Sequence, residues 1–306
     1  MPKTILVTGG AGFIGSHICH MLVERGHDVH VIDDFSTGKK ANLPKKVTIH
    51  EMDIRAKQVA AVMRKVSPDA VIHLAASIDL QASLAAPKDD ADVNIIGSLN
   101  VLEAAIAAGV RHFTFSSSAA VYDNTGLMPL PEEGPTRPST PYGIAKLAVE
   151  QYLHVMHHAR GIHTAVLRFA NVFGPRQTPK GEAGVVAVFM QKLKKGDAPT
   201  IYGDGEQTRD FVYVGDVAAC VVMVAEKATH GTFNVGSARE TTVKSLYEKM
   251  ATASGVKVEP VYAPARLHED RRSALDSRKA AGVIGWRAMT PLDQGLKKTW
   301  ESLTKK

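Results

Sequence analysis

A tyrosine and a lysine four positions apart carry the clearest chemical signal in this sequence. Tyr142 and Lys146 stand in the run Tyr-Gly-Ile-Ala-Lys, and residues at this spacing share one face of a helix. An ammonium group beside a phenol favours the phenolate, which lowers the tyrosine pKa from its ordinary value of about 10 and makes the side chain a general base. Ser118 ends a run of three serines and offers a hydroxyl to the same substrate oxygen. These three residues predict proton abstraction from a hydroxyl group.

A glycine-rich turn near the start of the chain predicts a dinucleotide site. The turn lies between an apolar segment that ends at Thr8 and a helical segment. A tight turn needs a residue that tolerates positive φ, a pyrophosphate approaches the backbone only where no Cβ intervenes, and the helix N-terminus offers N–H donors. The residues concerned are Gly9, Gly12, Phe13, Ile14 and Gly15.

An aspartate at the end of the next strand indicates which dinucleotide binds. Asp33 lies about as far beyond the glycine turn as the acidic residue that accepts hydrogen bonds from an adenosine ribose. Its charge repels a 2′-phosphate, so NAD is the preferred coenzyme. Lys39 and Lys40 lie nearby and would suit NADP instead.

Strand-length apolar runs alternate with helix-period segments through the first half of the chain. This order predicts an α/β fold, a Rossmann-type doubly wound parallel sheet with crossover helices. Gly26 and Gly109 follow two of the helices and predict left-handed caps. The predicted strands are Thr4–Thr8, Asp28–Ile32, Val47–Met52, Ala70–Leu74, Arg111–Ser116 and His163–Arg168, and two predicted helices are Phe13–Arg25 and Asp89–Ala108.

After about Asn171 the pattern becomes shorter and less regular, which predicts a second lobe. We expect residues 1–171 to form the coenzyme domain and residues 172–306 to form mainly a smaller α/β substrate lobe, with some segments returning to the sheet. The predicted strands are Asp210–Val214, Gly231–Val235 and Val256–Tyr262, and the predicted helices are Gly215–Glu226, Val243–Ser254 and Leu292–Ser302.

Composition excludes several classes of protein. The 306 residues carry a net charge of +6, but the basic pairs are scattered and are not interleaved with aromatic residues, which argues against a nucleic-acid partner. Apolar runs long enough to span a membrane are missing from the sequence, so no membrane partner is expected. Cys19 and Cys220 lie far apart without metal-ligand spacing, which predicts no metal site of that kind and a reducing cytoplasm.

The glycine spacing, the serine run and the Tyr-x-x-x-Lys pair together resemble the short-chain dehydrogenase/reductase superfamily. Within it the chain is similar, from Thr8 to about Trp286, to the extended group of NAD-dependent sugar-nucleotide epimerases and dehydratases. The resemblance implies that Ser118, Tyr142 and Lys146 are catalytic, with Lys146 also on the nicotinamide ribose. It implies further coenzyme contacts at Asp53, Ile54, Leu74, Ala75, Ala76 and Asn94.

The same resemblance implies a UDP-sugar substrate. Asn171 and Arg209 match family positions that contact the substrate diphosphate and the nucleotide. Arg266 and Glu269 match a phosphate contact and a ribose contact, although His268 stands where the family usually has glycine. An arginine fork suits phosphate oxygens geometrically.

The two residues that follow Ser118 indicate the type of reaction. Family dehydratases carry an Asp-Glu pair after the catalytic serine or threonine, whereas this chain has Ala119-Ala120. The resemblance therefore implies a 4-epimerase that interconverts UDP-glucose and UDP-galactose through a 4-keto intermediate with tightly bound NAD. An NAD(P)-dependent 4-ketosugar reductase, an epimerase for another nucleotide sugar, and a non-catalytic dinucleotide-binding protein remain alternatives.

Three further expectations concern substrate size, assembly and a histidine run. Ser273 aligns with a bulky tyrosine that restricts some family members to unsubstituted hexoses, so an N-acetyl group is expected to fit. The apolar segments Ile95–Ala107 and Leu147–Met156 match helices that pair in family homodimers. His154, His157 and His158 have helical spacing, and we interpret them as an exposed or interface face of the helix.

Overall fold

The structure, a computed structural model, describes residues 1–124, 126, 128–178, 184–265 and 270–305. The strands are β1 (Thr4–Thr8), β2 (Asp28–Asp33), β3 (Val47–Glu51), β4 (Ala70–His73), β5 (His112–Ser118), β6 (His163–Phe169), β7 (Asn171–Phe173), β8 (Thr200–Tyr202), β9 (Thr208–Tyr213), β10 (Gly231–Val235), β11 (Glu240–Thr242) and β12 (Val261–Ala263). The helices are α1 (Phe13–Glu24), α2 (Gln58–Val66), α3 (Leu80–Ala85), α4 (Pro87–Ala91), α5 (Ser98–Ala107), α6 (Pro141–Arg160), α7 (Val185–Lys195), α8 (Val214–Lys227), α9 (Val243–Ser254), α10 (Arg278–Val283) and α11 (Leu292–Thr304).

The chain divides into two compact units. The first contains residues 1–121, 136–168 and 218–233, and the second contains residues 122–135, 169–217 and 234–306. The first unit holds a seven-stranded sheet in the order β10-β6-β5-β4-β1-β2-β3, which is a Rossmann-type order extended by β10. The predicted fold class is confirmed.

The register of the sheet brings several predicted residues to one edge. The paired strands from β3 through β1 and β4 to β5 are all parallel, and Thr8 lies opposite both Ile32 and His73. His73 lies opposite Phe115, so β5 continues three residues beyond the end of β4. The strand order reverses between β1 and β4, and ligands of doubly wound sheets bind at the carboxyl edge beside this point.

The central strands β1 and β4 form because their side chains are buried on both faces of the sheet. Ile5, Leu6 and Val7 of β1 have no exposed surface, as expected where helices cover a parallel sheet on either side. The helices end where their sequences predict. Gly26 follows α1 with a φ of 81°, and Gly109 follows α5 with a φ of 74°.

One predicted helix differs from the structure in its middle. The segment Asp89–Ala108 was expected to be a continuous α-helix, but α4 and α5 are joined by a π-helical turn over Asp92–Gly97. A Cβ on Gly97 would lie 2.7 Å from the Ile54 side chain, so the π-helical turn packs closely against Ile54. Such turns have no periodic signature in the sequence and are frequent at functional sites.

The second unit has its own small sheets and core. β7 and β11 flank β9 in one sheet, and β8 pairs with β12 in another. The predicted strand Val256–Tyr262 was too long, because only Val261–Ala263 pairs and Pro260 has no N–H to donate to a ladder. The core lies between α7, α9 and α11, and its buried members include Phe173, Phe189, Met190, Leu193, Phe211, Leu246, Tyr247, Met250 and Leu296.

Candidate active site

The glycine turn forms a backbone cradle, a concave stretch of main chain that a side chain at Gly9 or Gly15 would block. Gly9 has a φ of 68°, and a Cβ there would lie 2.7 Å from the backbone nitrogen of Ala75. A Cβ on Gly15 would lie 2.2 Å from the carbonyl oxygen of Gly9. Gly12 precedes α1 and provides no side-chain cap, so Phe13 and the following residues present their N–H groups at the helix N-terminus. The backbone therefore fits a pyrophosphate.

Asp33 lies beside this turn as a buried carboxylate. It accepts hydrogen bonds from the backbone N–H groups of Ala11 and Phe35, each at 2.9 Å. Burial raises its pKa despite these two donors. A Cβ on Gly38 would lie 3.0 Å from Asp33 Oδ1, so the Gly38 backbone passes close to the carboxylate. Lys40, which could have favoured a 2′-phosphate, is paired with Glu51 at 2.7 Å.

The other residues expected at the coenzyme lie at the same sheet edge. Leu74 and Ala75 follow β4 and donate their backbone N–H groups to Thr8 Oγ1 at 3.2 and 3.3 Å. Asp53 follows β3 and is held by the Arg55 guanidinium, whose hydrogen bonds lower the aspartate pKa. The remaining members are Ile54, which is buried, Ala76, which is partly buried, and Asn94, which lies in the π-helical turn.

The serine, tyrosine and lysine come together in the first unit. Ser118 is the last residue of β5, and Tyr142 stands in the first turn of α6, which Thr140 caps by accepting a hydrogen bond from Gly143. The Ser118 hydroxyl is hydrogen-bonded to Tyr142. Lys146 is 3% exposed, and its Nζ donates to the carbonyl oxygen of Ser116 at 2.9 Å. The ammonium also lies 4.7 Å from the ring centre of Phe115.

The electrostatics of this group differ from the sequence-based expectation. Burial, opposed by the Ser118 hydrogen bond and reinforced by the Asp90 carboxylate, raises the pKa of Tyr142 to about 12. Burial lowers the pKa of Lys146 to about 8, against the opposing effect of Asp90 and Glu150. The four-residue spacing thus places the Lys146 ammonium near the phenol, but the protein alone does not lower the pKa of Tyr142 toward 7. A further positive charge is required for the phenolate to form near pH 7.

Sequence reasoning missed a buried carboxylate near Lys146. Asp90 is 5% exposed, and its Oδ1 atom accepts a hydrogen bond from Asn94 at 2.8 Å. Its Oδ2 atom has no hydrogen-bond partner among the described residues. Burial raises the pKa of Asp90, and the Lys146 ammonium lowers it. Nothing in the sequence around Asp90 distinguishes it from the exposed acids beside it.

A chain of hydrogen bonds connects the glycine turn to Asn94. Thr8 Oγ1 bonds to Nδ1 of His73 at 2.6 Å, and His73 Nε2 bonds to Ser98 Oγ at 2.9 Å. The Ser98 hydroxyl donates in turn to the carbonyl oxygen of Asn94 at 2.6 Å. Because Ser98 uses its proton on this carbonyl, it accepts from His73, which fixes the imidazole as the neutral Nε2–H tautomer.

Acid is expected to destabilise the first unit through His73. Its imidazole has no exposed surface, and burial together with the Lys146 charge lowers its pKa to about 3. The unfolded chain takes up this proton below about pH 6.5, so the free energy of unfolding should fall by about 1.4 kcal/mol per pH unit from there toward pH 3. Urea unfolding of the protein and of His73→Gln between pH 7 and 5 measures this contribution. An identical slope in both proteins would contradict it.

Three of the residues expected to hold the substrate, Asn171, Arg209 and Ser273, lie in the second unit. Asn171 begins β7, and Arg209 lies on β9 with its Nη1 donating to the carbonyl oxygens of Thr208 and Asp270 at 2.8 and 2.9 Å. Ser273 is 7% exposed. Arg266 and Glu269 lie outside the described residues, so the structure does not place them.

The described residues show neither a metal cluster nor a membrane-spanning helix. Groups of three histidine, cysteine, aspartate or glutamate side chains able to hold a metal ion are absent from this part of the chain. The described helices are each too short or too polar to cross a bilayer. His154 and His158 are exposed on α6, whereas His157 stacks on His230 with ring centres 3.7 Å apart.

Comparison with known proteins agrees with this geometry. The UDP-glucose 4-epimerase of Thermotoga maritima, solved with UDP-glucose, is 42% identical, covers 98% of each chain and superposes with a TM-score of 0.95. The UDP-N-acetylglucosamine 4-epimerase of Methanobrevibacter ruminantium is 32% identical over 99% of this chain and 98% of its own, with a TM-score of 0.94. The UDP-glucose 4-epimerase of Thermus thermophilus, solved with NAD, is 39% identical over 98% of each chain, with a TM-score of 0.92.

The family assignment rests on a match to most of the chain. The sequence profile of the NAD dependent epimerase/dehydratase family matches residues 5–236, which contain the glycine turn, Asp33 and the Ser118, Tyr142 and Lys146 group. The backbone cradle and the buried Asp33 carboxylate fit the coenzyme after which the family is named. The chain therefore belongs to the NAD-dependent epimerase/dehydratase family.

Proposed function

We propose that this protein is a nucleotide-sugar 4-epimerase that interconverts UDP-glucose and UDP-galactose with tightly bound NAD. The observation that carries the proposal is the convergence of Ser118, Tyr142 and the buried Lys146. Lys146 Nζ lies 5.7 Å from the Tyr142 ring centre and donates to the carbonyl oxygen of Ser116, two residues before Ser118 on β5. A module that only binds a dinucleotide has no need of this group. The names of the similar solved structures support the same reaction.

Each side chain has a defined task in this proposal. Tyr142 Oη takes the proton of the sugar 4-hydroxyl, and Ser118 Oγ would donate a hydrogen bond to the same oxygen. NAD, when bound, supplies the hydride acceptor for the sugar C4 and a positively charged nicotinamide ring, which is the additional cation that the Tyr142 phenolate requires. Lys146 Nζ stays fixed on the Ser116 carbonyl and keeps its charge near the phenol. Tyr142 returns the proton when the 4-keto sugar is reduced on its other face.

The substrate diphosphate is assigned to the second unit. Asn171 and Arg209 supply polar contacts in this proposal, with Arg266 and Glu269 as further members. The Arg209 side chain is anchored by two backbone carbonyls, which limits the rotamer entropy lost when it binds an anion. Ala119 and Ala120 leave no acid and base for water elimination, which favours epimerisation over dehydration.

The direct test uses purified protein without added coenzyme. UDP-glucose and UDP-N-acetylglucosamine are incubated separately, and the anomeric protons are followed by NMR. A galacto-configured product supports a 4-epimerase that retains its own NAD. If NAD is bound but neither sugar changes, the proposal fails and a 4-ketosugar reductase or another nucleotide sugar becomes the better assignment. Stoichiometric oxidation of added NADPH would identify the reductase.

Substrate range is expected to depend on Ser273. Ser273 is small where the matching family position has a bulky tyrosine that restricts some members to unsubstituted hexoses, so Ser273→Tyr should lower kcat/KM for UDP-N-acetylglucosamine by roughly tenfold or more. The same variant should retain activity on UDP-glucose, which serves as the internal control. Parallel NMR assays on both sugars measure the ratio of rates. Equal losses on both substrates would contradict a steric role for this position.

We propose that the enzyme is a homodimer formed through α6 and the helical segment before it. Ile144, Tyr152 and Val155 are all exposed and follow one stripe of α6, and Ile96 is 55% exposed on the π-helical turn. Exposed apolar stripes of this kind mark interfaces. Sedimentation at several protein concentrations would reveal a monomer if the proposal is wrong.

A cytoplasmic location is part of the same proposal. Cys19 and Cys220 are both buried and form no disulfide bond, and burial raises the pKa of Cys220 strongly. Buried thiols of this kind suit a reducing compartment, where UDP-glucose and UDP-galactose would be interconverted in galactose metabolism. Fractionation of cells that express the protein would test the location.

A further inference from the structure

Three residues of α6 lie on one face at successive turns. Tyr142 and Lys146 belong to the catalytic group, and Glu150 follows one turn later. Glu150 is 5% exposed and pairs with Arg168 of β6, which is 6% exposed. The Arg168 Nη2 atom lies 2.6 Å from one carboxylate oxygen of Glu150, and its Nε atom lies 3.0 Å from the other. The pair is a buried, two-point ionic contact.

Glu150 is also attached to the strand that carries the catalytic serine. Ser117 is 3% exposed, and its hydroxyl donates to Glu150 Oε1 at 2.5 Å. One turn earlier on the helix, Lys146 Nζ donates to the carbonyl oxygen of Ser116 at 2.9 Å. Two neighbouring residues of β5 are thus held by two residues of α6. This arrangement restricts both sliding and rotation of the helix against the strand.

The catalytic pair lies beside these contacts on both elements. Ser118 follows Ser117 on β5, and Tyr142 precedes Lys146 by one turn on α6. Their mutual hydrogen bond therefore depends on the register that Ser117 and Lys146 fix. Burying an ion pair gives little net stability compared with apolar side chains of similar volume. What Glu150 and Arg168 provide is a fixed geometry.

We infer that Glu150, held by Arg168 and attached to Ser117, is a positioning residue that sets the distance between Ser118 Oγ and Tyr142 Oη. This inference rests on the proposed epimerase function for its kinetic consequence. Direct removal of Glu150 or Arg168 would leave an unpaired buried charge and endanger folding. Ser117→Ala is the better probe, because it removes only the connection to the strand and leaves the ion pair intact.

The matched control is Thr114→Val on the same strand. Thr114 is 1% exposed, and its hydroxyl is hydrogen-bonded to His112 at 2.9 Å, away from α6. Both substitutions remove one buried hydrogen bond. Ser117→Ala should lower kcat by about tenfold with KM unchanged, because small misplacements of reacting groups cost rate more than binding. It should also move the acid limb of the kcat profile to higher pH, because Tyr142 loses part of the hydrogen bond that lowers its pKa.

A measurement independent of turnover separates this inference from the proposed function. The ¹³Cζ resonance of Tyr142, assigned by its loss in Tyr142→Phe, should shift in Ser117→Ala and stay in place in Thr114→Val. If the wild-type protein shows no epimerase activity and the resonance shifts, the proposed function fails but Glu150 still positions Tyr142. If the wild-type protein epimerises and Ser117→Ala matches Thr114→Val in kcat, pH profile and resonance, the positioning role is overturned.

Discussion

Tyr142→Phe is expected to lower kcat by about 10²- to 10⁴-fold, the range that general acid–base catalysis contributes. The substitution removes only the hydroxyl that accepts the sugar proton. The ring remains beside Lys146, whose Nζ lies 5.7 Å from its centre, so packing and coenzyme binding should change little. Turnover of UDP-glucose and the NAD content of the purified variant are the two measurements.

The control for this variant is Tyr152→Phe on the same helix. Tyr152 is 43% exposed and belongs to the proposed dimer stripe, whose apolar ring phenylalanine retains, so removal of its hydroxyl tests the general effect of a Tyr→Phe substitution on α6. We expect its kcat to equal that of the wild type. A Tyr142→Phe variant with near wild-type turnover would falsify the assignment of Tyr142 as the base. A variant that has lost NAD would show that the hydroxyl serves binding instead.

The pKa values of Tyr142 and Lys146 explain why the fall in kcat of Tyr142→Phe should be large. Tyr142 has a pKa of about 12 in the protein by itself, and Lys146 has a pKa of about 8. The base is therefore protonated at neutral pH until a further positive charge lies near it. The positively charged nicotinamide ring of NAD would provide that charge when bound, so proton removal by Tyr142 would depend on the oxidised state of the coenzyme.

Gly15→Ala is expected to abolish the coenzyme cradle. The added methyl group would lie 2.2 Å from the carbonyl oxygen of Gly9 and 2.8 Å from the α-carbon of Gly10, and neither backbone atom can rotate away. The turn must open, which should cost about 1–3 kcal/mol of stability and displace the N–H groups that face the pyrophosphate. NAD content should fall more than about tenfold, which corresponds to at least about 1.4 kcal/mol of binding.

The matched control is Gly282→Ala in α10. A Cβ at that position would meet no atom within 4 Å, and alanine is the better helix former by about 1 kcal/mol. We expect unchanged NAD content and equal or higher stability. Chromatography of the coenzyme released on denaturation, together with thermal unfolding, measures both effects. Full NAD content in Gly15→Ala would exclude the glycine turn as the coenzyme site.

Sequence patterns predicted the parts of this protein that depend on local chemistry. The alternation of strands and helices identified the Rossmann-type sheet, because a parallel sheet buried on both faces requires apolar runs joined by crossover helices. The glycine turn was predictable because close backbone approach excludes every other residue at Gly9 and Gly15. The spacing of Tyr142 and Lys146 placed both on one helix face, where the structure has them.

The tertiary structure decided what depends on distances between segments that are remote in the sequence. The π-helical turn, the buried Asp90 and the ion pair of Glu150 with Arg168 have no periodic signature. The pKa of Tyr142 was expected to fall and instead rises, because a pKa reflects burial and all neighbouring charges, whereas spacing reports a single neighbour. The sequence by itself therefore determined the fold class and the identity of the reacting groups. Their electrostatics and their mutual positions were determined only when packing removed them from water.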